Sequence, residues 1–151
     1  MENTKKIHDL LMNAIFEVFE KMFFVFLEPA DEEISYEMIS SIEFLGPVKG
    51  DIRVYFSYGV AETMVRNMLG IDNSEITDRL IEDCTKEAVN MISGNFLHKY
   101  DSSKVFDLSI PEFEKKKSTF ASQENKADKT VWNLVFESEG GMMALRLNFR
   151  Q

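Results

Sequence analysis

Apolar residues recur at three- and four-residue steps between residues 7 and 27, so the chain opens on the pattern of an amphipathic helix. Pro29 is expected to end this helix, because a proline ring lacks the amide hydrogen that the helical ladder needs. Charged residues interrupt the apolar run at Asp9, Glu17, Glu20 and Lys21. A membrane-spanning helix needs roughly 18 uninterrupted apolar residues, so we expect no membrane insertion.

After Pro29 the pattern changes to an alternation of apolar and polar residues, which is typical of strands. Ile34–Leu45 and residues 51–58 are predicted to form an antiparallel pair, and the residues Gly46, Pro47 and Gly50 mark the turn between them. The alternation returns late in the chain and predicts four further strands, at residues 104–110, 113–121, 131–137 and 142–149.

The last two of these strands have the clearest hairpin signal. Gly140 and Gly141 stand between them, and glycine adopts the positive φ angles that tight hairpin turns require. Residues 122–129, SQENKADK, are polar throughout and are predicted to form a loop before the hairpin.

Helical spacing occupies the middle of the chain. A short helix is predicted over residues 60–69, ended by Gly70, and a long helix follows that Asp72 or Ser74 can cap and that runs to about Tyr100. The elements together predict an α+β fold, with a mostly antiparallel sheet of about six strands and two long helices packed on one face. A length of 151 residues suits a single domain, residues 1–151.

Composition narrows the classes of function. The formal net charge is -9 and the pI about 4.8, which argues against nucleic acid as a partner because phosphate backbones are bound by Lys and Arg. Cys84 is the only cysteine, so no intramolecular disulfide can form, and no Cys/His pattern predicts a metal site. These features favour a cytoplasmic protein.

The stretch DCTKEAVNMISGNF, residues 83–96, contains the densest cluster of suggestive polar residues. On a helix, Asp83, Glu87, Asn90 and Gly94 share a stripe roughly 60° wide. A second set is apolar and falls on the far side of the helix, where it can pack on the sheet: Ile81, Cys84, Ala88, Ile92 and Phe96. The polar stripe is therefore predicted to face outward.

Two interpretations of this stripe stay open on the residues alone. It is either an ordinary solvated helix face or a docking surface. Asn90 and Gly94 are poor helix formers, which favours a specific role, and a missing side chain at Gly94 would let another backbone approach closely. Alternatively, Gly94 kinks or ends the helix, with Asn95 bonding to nearby backbone.

Other reactive side chains lack partners at useful spacing. His8, His98 and Ser93 have no evident metal-ligand or triad companions, and Cys84 is expected to be a core residue. The lysine run at residues 115–117 lies on a predicted strand, where such residues commonly protect a sheet edge.

The arrangement Asp83-x3-Glu87-x2-Asn90, followed by Gly94-Asn95 and later by Pro111, resembles the signature of the CheC, CheX and FliY family of chemotaxis phosphatases. The segment GPVKGDIRVYFSYGVAETMVRNMLG also resembles the first half of that family. CheC-like members have a second Glu-x-x-Asn on the first long helix, whereas this chain has Glu17-Val18-Phe19-Glu20 there. It is therefore most similar to the single-site CheX type.

The resemblance implies hydrolysis of the aspartyl phosphate on a CheY-type response-regulator receiver. Asn90 would hold the attacking water, Glu87 would pair with the receiver's lysine, Asp83 would be a docking contact and Gly94 a clearance residue. Mg²⁺ would come with the receiver, no cofactor would be bound by this chain, and the chain would form a homodimer. The alternatives are a receiver-binding or signalling module of the same fold without catalysis, and a purely structural homodimer.

Overall fold

The structure is a computed structural model that describes residues 2–122 and 130–150, and it contains three α-helices and a seven-stranded sheet. The helices are α1 (Glu2–Met22), α2 (Tyr58–Leu69) and α3 (Asp78–Tyr100). The strands are β1 (Glu28–Ala30), β2 (Ile34–Leu45), β3 (Lys49–Phe56), β4 (Asp107–Leu108), β5 (Glu112–Phe120), β6 (Val131–Ser138) and β7 (Gly141–Arg150). The strand order is β1-β6-β7-β3-β2-β4, β5 also pairs with β2, and these pairs are antiparallel.

The main hydrophobic core lies between the helices and one face of the sheet. Leu11 and Ile15 of α1 and Ile92 of α3 are fully buried in one cluster with Ile52 and Val54 of β3. Burial of this apolar surface is the main force that holds the helices on the sheet. The α+β prediction, with two long helices on one face, is confirmed, although the sheet has seven strands rather than six.

The first helix ends earlier than predicted, at Met22 rather than before Pro29. Val25 N donates to Phe19 O at 2.9 Å, and Phe24 has a left-handed φ of 53°, so the chain leaves the helix through a left-handed residue. That position is usually a glycine, so a phenylalanine gave no sign of the helix end. Phe26, which lies within the apolar run predicted to form this helix, is 71% exposed.

Two short segments also differ from prediction because their positions depend on pairing. Pro29 lies in the unpredicted strand β1, which pairs only with β6 among the described strands, and a sheet edge tolerates proline. The predicted strand 104–110 shrinks to β4, because β5 occupies most of the same edge of β2.

Gly50 lies inside β3, so the prediction that it marks the β2–β3 turn was wrong. It stands opposite Phe44 on one side and next to the backbone of Asn148 on the other. A Cβ at Gly50 would collide with Asn148 O, so this glycine permits close pairing of β3 and β7.

The β6–β7 hairpin forms as predicted, with Ser138 opposite Gly141. Only Gly141 has a positive φ, 140°, whereas Gly140 packs against the start of α2, where a Cβ would meet the Thr63 side chain. The predicted polar loop at residues 122–129 lies, from residue 123 onward, outside the described residues.

The long helix starts later than predicted. Thr77 is its N-cap, and Thr77 Oγ1 accepts a hydrogen bond from Leu80 N at 3.1 Å. Asp72 and Ser74 belong to a separate 3₁₀ turn at Asn73–Glu75, in which Glu75 Oε1 accepts from Asp72 N at 3.2 Å. None of the helices in the described residues is long and apolar enough to span a membrane.

Candidate functional site

α3 presents the two faces that its sequence predicts. Its inner face is made of residues that are 0% to 3% exposed and pack on the sheet: Ile81, Cys84, Ala88, Ile92 and Phe96. On its outer face Asp83 is exposed, while Glu87, Asn90 and Gly94 are half-buried. The helix is therefore anchored along one side and leaves the polar stripe accessible along the other.

A shallow cleft of about 370 Å³ runs along this stripe. Its walls are Asp83, Lys86, Glu87 and Asn90 on α3 and Ile110 and Pro111 in the β4–β5 connection. Pro111, which is distant in sequence, thus lies beside the three polar residues that share its signature. Glu87 and Asn90 are three residues apart on one helix, so their side chains are neighbours on its surface.

The side chains along the cleft differ in how they are held. Arg79 Nε lies 3.3 and 3.2 Å from the two carboxylate oxygens of Asp83, and Lys86 Nζ donates at 2.7 Å to a carboxylate one turn earlier. Across the described residues, no hydrogen bond or ion pair engages the side chain of Glu87 or Asn90. Both groups are free to bond to an external partner.

Gly94 does not end α3, which continues to Tyr100. A Cβ built at Gly94 would meet no described residue within 4 Å, so no contact with the described part of the chain requires a glycine there. Asn95 Oδ1 is buried without a hydrogen-bond partner among the described residues, contrary to the backbone bond considered for it.

Cys84 lies behind the stripe and is 3% exposed. Burial raises the pKa of its thiol to about 12, and the nearby charge of Glu87 adds to the shift. Because a thiolate is the reactive form of cysteine, this side chain is a packing residue and not a nucleophile at neutral pH.

On α1, Glu17 stands where CheC-like proteins have the glutamate of their second Glu-x-x-Asn motif, and its carboxylate already has partners inside the chain. Glu17 accepts from Lys99 of α3 at 3.2 Å and from Lys21 at 3.3 Å. The hydrogen bond from Lys99, followed by that from Lys21, lowers the pKa of Glu17. Glu17 thus ties α1 to α3, in contrast to Glu87, which has no such partner.

The remaining candidate groups lie outside the cleft. His8 contacts Asp9 at 3.3 Å on α1, His98 is exposed in the last turn of α3, and Ser93 is fully buried. Lys115 lies on β5, which pairs only with β2 among the described strands, and it contacts Asp78 at 3.0 Å. This position agrees with the edge role expected for the lysine run.

Sequence reasoning missed two residues of the cleft, Lys86 and Ile110. Lys86 lies four residues before Asn90, so helical spacing alone would have placed it beside the stripe. Ile110 had no such signal, because only the folding of the β4–β5 connection brings it to α3.

Solved structures of similar fold come from chemotaxis proteins. CheX from Vibrio vulnificus has a TM-score of 0.78 at 18% identity, over 95% of this chain and 96% of that one. CheX from Desulfovibrio desulfuricans has a TM-score of 0.76 at 20% identity, over 96% and 99%. The CheX-CheY-BeF3-Mg²⁺ complex from Borrelia burgdorferi has a TM-score of 0.68 at 18% identity, over 95% and 97%.

A family model gives the more specific relationship. Residues 38–136, which include most of β2, all of α3 and most of β6, match the family described as "Chemotaxis phosphatase CheX". No curated protein matches the chain. Because the matched residues make up more than half of its length, the chain belongs to the CheX family of chemotaxis phosphatases.

Proposed function

We propose that this chain hydrolyses the aspartyl phosphate of a CheY-type response-regulator receiver. Asn90 orients the attacking water, and Glu87 pairs with the receiver's lysine. One observation carries the proposal: Glu87 and Asn90 lie next to each other in an accessible cleft, and among the described residues neither side chain has a hydrogen-bond or ion-pair partner. Membership of the CheX family supports the reaction type.

The proposed reaction needs positioning more than a protein nucleophile. A water oxygen bonds to phosphorus in line with the bond to the receiver's aspartate, that bond breaks, and the aspartate leaves as a carboxylate. The water protons leave with inorganic phosphate. The amide of Asn90 suits this task because it accepts and donates hydrogen bonds and does not titrate at physiological pH.

The metal ion is proposed to come with the receiver. Among residues 2–122 and 130–150, no group of three or more His, Cys, Asp or Glu side chains is arranged to hold a metal ion. Mg²⁺ would neutralise charge on the phosphoryl oxygens, as it does in other phosphoryl transfers. The presence of Mg²⁺ with CheX and CheY in the Borrelia complex supports this assignment.

The test follows phosphate release from a phosphorylated CheY-type receiver. Asn90→Ala should reduce the accelerated rate about a hundredfold, because a poorly positioned water forfeits most of the orientational advantage. Glu87→Gln should raise the receiver concentration that gives half the maximal rate, because it removes the charge that pairs with the lysine.

Asn13→Ala is the matched control, since Asn13 is an exposed asparagine on α1 and does not line the cleft. It should leave the rate unchanged. Binding of the wild-type protein to the receiver without faster phosphate release would favour the non-catalytic module, and absence of binding would favour a structural protein. Homodimerisation stays a prediction, which analytical ultracentrifugation of the free chain tests.

A further inference from the structure

Ile110 is the most exposed large apolar side chain in the described part of the chain, with 86% of its surface accessible. It lines the same cleft as Glu87 and Asn90, as part of the opposite wall. The α3 wall is lined entirely by charged or amide side chains. Ile110 is therefore the main apolar group that the cleft offers to a partner.

The loop that carries Ile110 is fixed to the sheet. Ser109 N donates to Glu43 O at 2.9 Å, and Glu43 N donates to Ser109 Oγ at 2.9 Å. Pro111 follows directly, and a proline restricts the residue before it to extended conformations. The backbone at Ile110 is thus constrained before any partner arrives, which reduces the backbone entropy lost on binding.

We propose that Ile110 is an apolar docking residue that packs against the surface of the receiver beside its phosphorylated aspartate. This proposal rests on the proposed function. A receiver that brings its phosphoryl group to Asn90 must enter the cleft between α3 and the β4–β5 connection, so it covers the opposite wall as well. The contact removes apolar surface from water, whereas Glu87 supplies the charge contact.

Such a contact strengthens binding of the ground state and of the transition state equally. Its loss therefore raises the receiver concentration at half-maximal rate and leaves the rate at saturation unchanged. This separates Ile110, which would only dock the receiver, from Asn90, whose removal lowers the rate at saturation.

The experiment measures the rate of phosphate release against the concentration of phosphorylated CheY-type receiver. Ile110→Ala should raise the half-saturating concentration about tenfold, because it removes three carbons from an apolar contact. Ile110→Val should retain most of the affinity. The matched control is Val105→Ala, since Val105 is 84% exposed in the neighbouring α3–β4 connection but does not line the cleft.

A binding titration with the beryllofluoride-loaded receiver makes the same comparison without turnover. Equal affinities of wild type and Ile110→Ala would overturn the docking role, as would an equal loss in Val105→Ala. A wild-type protein that binds the receiver but does not accelerate hydrolysis contradicts the proposed function alone, and the titration still decides whether Ile110 contributes to binding.

Discussion

The four side chains of α3 that line the cleft lie close together on the helix but differ in their hydrogen bonds and ion pairs. Asp83 and Lys86 are paired with neighbours one turn away, whereas Glu87 and Asn90 are not bonded to any described side chain. Exposed ion pairs of the first kind contribute only about 0.3–0.5 kcal/mol to helix stability. Free polar groups beside a cleft gain more from an external partner, which is why the proposed catalytic roles fall on Glu87 and Asn90.

A substitution at Gly94 is expected to change the stability and the activity of the protein in opposite directions. Gly94→Ala should raise the free energy of unfolding by about 1 kcal/mol, because alanine is the better helix former and its Cβ would meet no neighbour. If Gly94 provides clearance for the receiver, the same variant should dephosphorylate the receiver more weakly. Chemical denaturation and the phosphate-release assay measure the two effects.

Gly70→Ala is the control for that substitution. Its Cβ would also meet no neighbour, but Gly70 has a left-handed φ of 64°, so alanine should destabilise the protein there. A more stable Gly94→Ala variant with unchanged activity would remove the clearance role and leave Gly94 unexplained.

At the scale of elements, the position of the polar stripe depends on where α3 begins. Thr77→Ala should lower the free energy of unfolding by about 1 kcal/mol, because Leu80 N loses the side-chain acceptor that caps the helix. Denaturant unfolding measures this change. Ser74→Ala is the control, since Ser74 lies in the 3₁₀ turn and makes no side-chain hydrogen bond with the described residues.

A loss of stability in Ser74→Ala equal to that in Thr77→Ala would show that the 3₁₀ turn and the helix start act as one cap. The sequence predicted Asp72 or Ser74 as the cap, and the observed cap, Thr77, belongs to the same group of capping residue types. Only the hydrogen bond to Leu80 distinguishes them, and it depends on where the chain turns toward the sheet.

Across the whole molecule, the helices and the sheet share one large core, and a smaller cluster lies around Tyr55 and Phe120. Arg146 lies over the Phe120 ring, 4.9 Å from its centroid, and adds a cation–π contact to that cluster. Cys84 belongs to the large core, so its protonation is linked to the stability of the complete fold.

This link predicts a pH dependence of global stability. The pKa of Cys84 rises from 9.0 to about 12 in the folded state, so above pH 9.0 the unfolded chain ionises first and the free energy of unfolding falls as pH rises. Cys84→Ala should show a shallower decline than wild type when unfolding is measured from about pH 8 to about pH 10.5.

The difference in slope between wild type and Cys84→Ala, in plots of unfolding free energy against pH, reports on the thiol alone. Burial also raises the pKa of Tyr55, but Tyr55 is present in both proteins. Parallel curves would mean that Cys84 ionises as readily in the folded chain as in the unfolded one. The protein should be stabilised by the neutral thiol at all pH values below the ordinary pKa of cysteine.

The sequence by itself determined the periodic features. Helical spacing put Asp83, Glu87 and Asn90 on one face opposite a packed apolar face, and alternation located β2 and the β6–β7 hairpin. These features depend on local geometry that repeats every few residues. The resemblance to the CheX type added the proposed partner and the proposed reaction, which spacing does not contain.

Tertiary structure decided what depends on residues far apart in the chain. It ended α1 at Met22, just before the left-handed Phe24, reduced β4 to a short strand beside β5, and brought Ile110 and Pro111 against α3. It also showed which polar residues of the stripe have partners inside the chain. A helix wheel shows where a side chain points, but whether that side chain is free for a partner depends on contacts that only the folded chain makes.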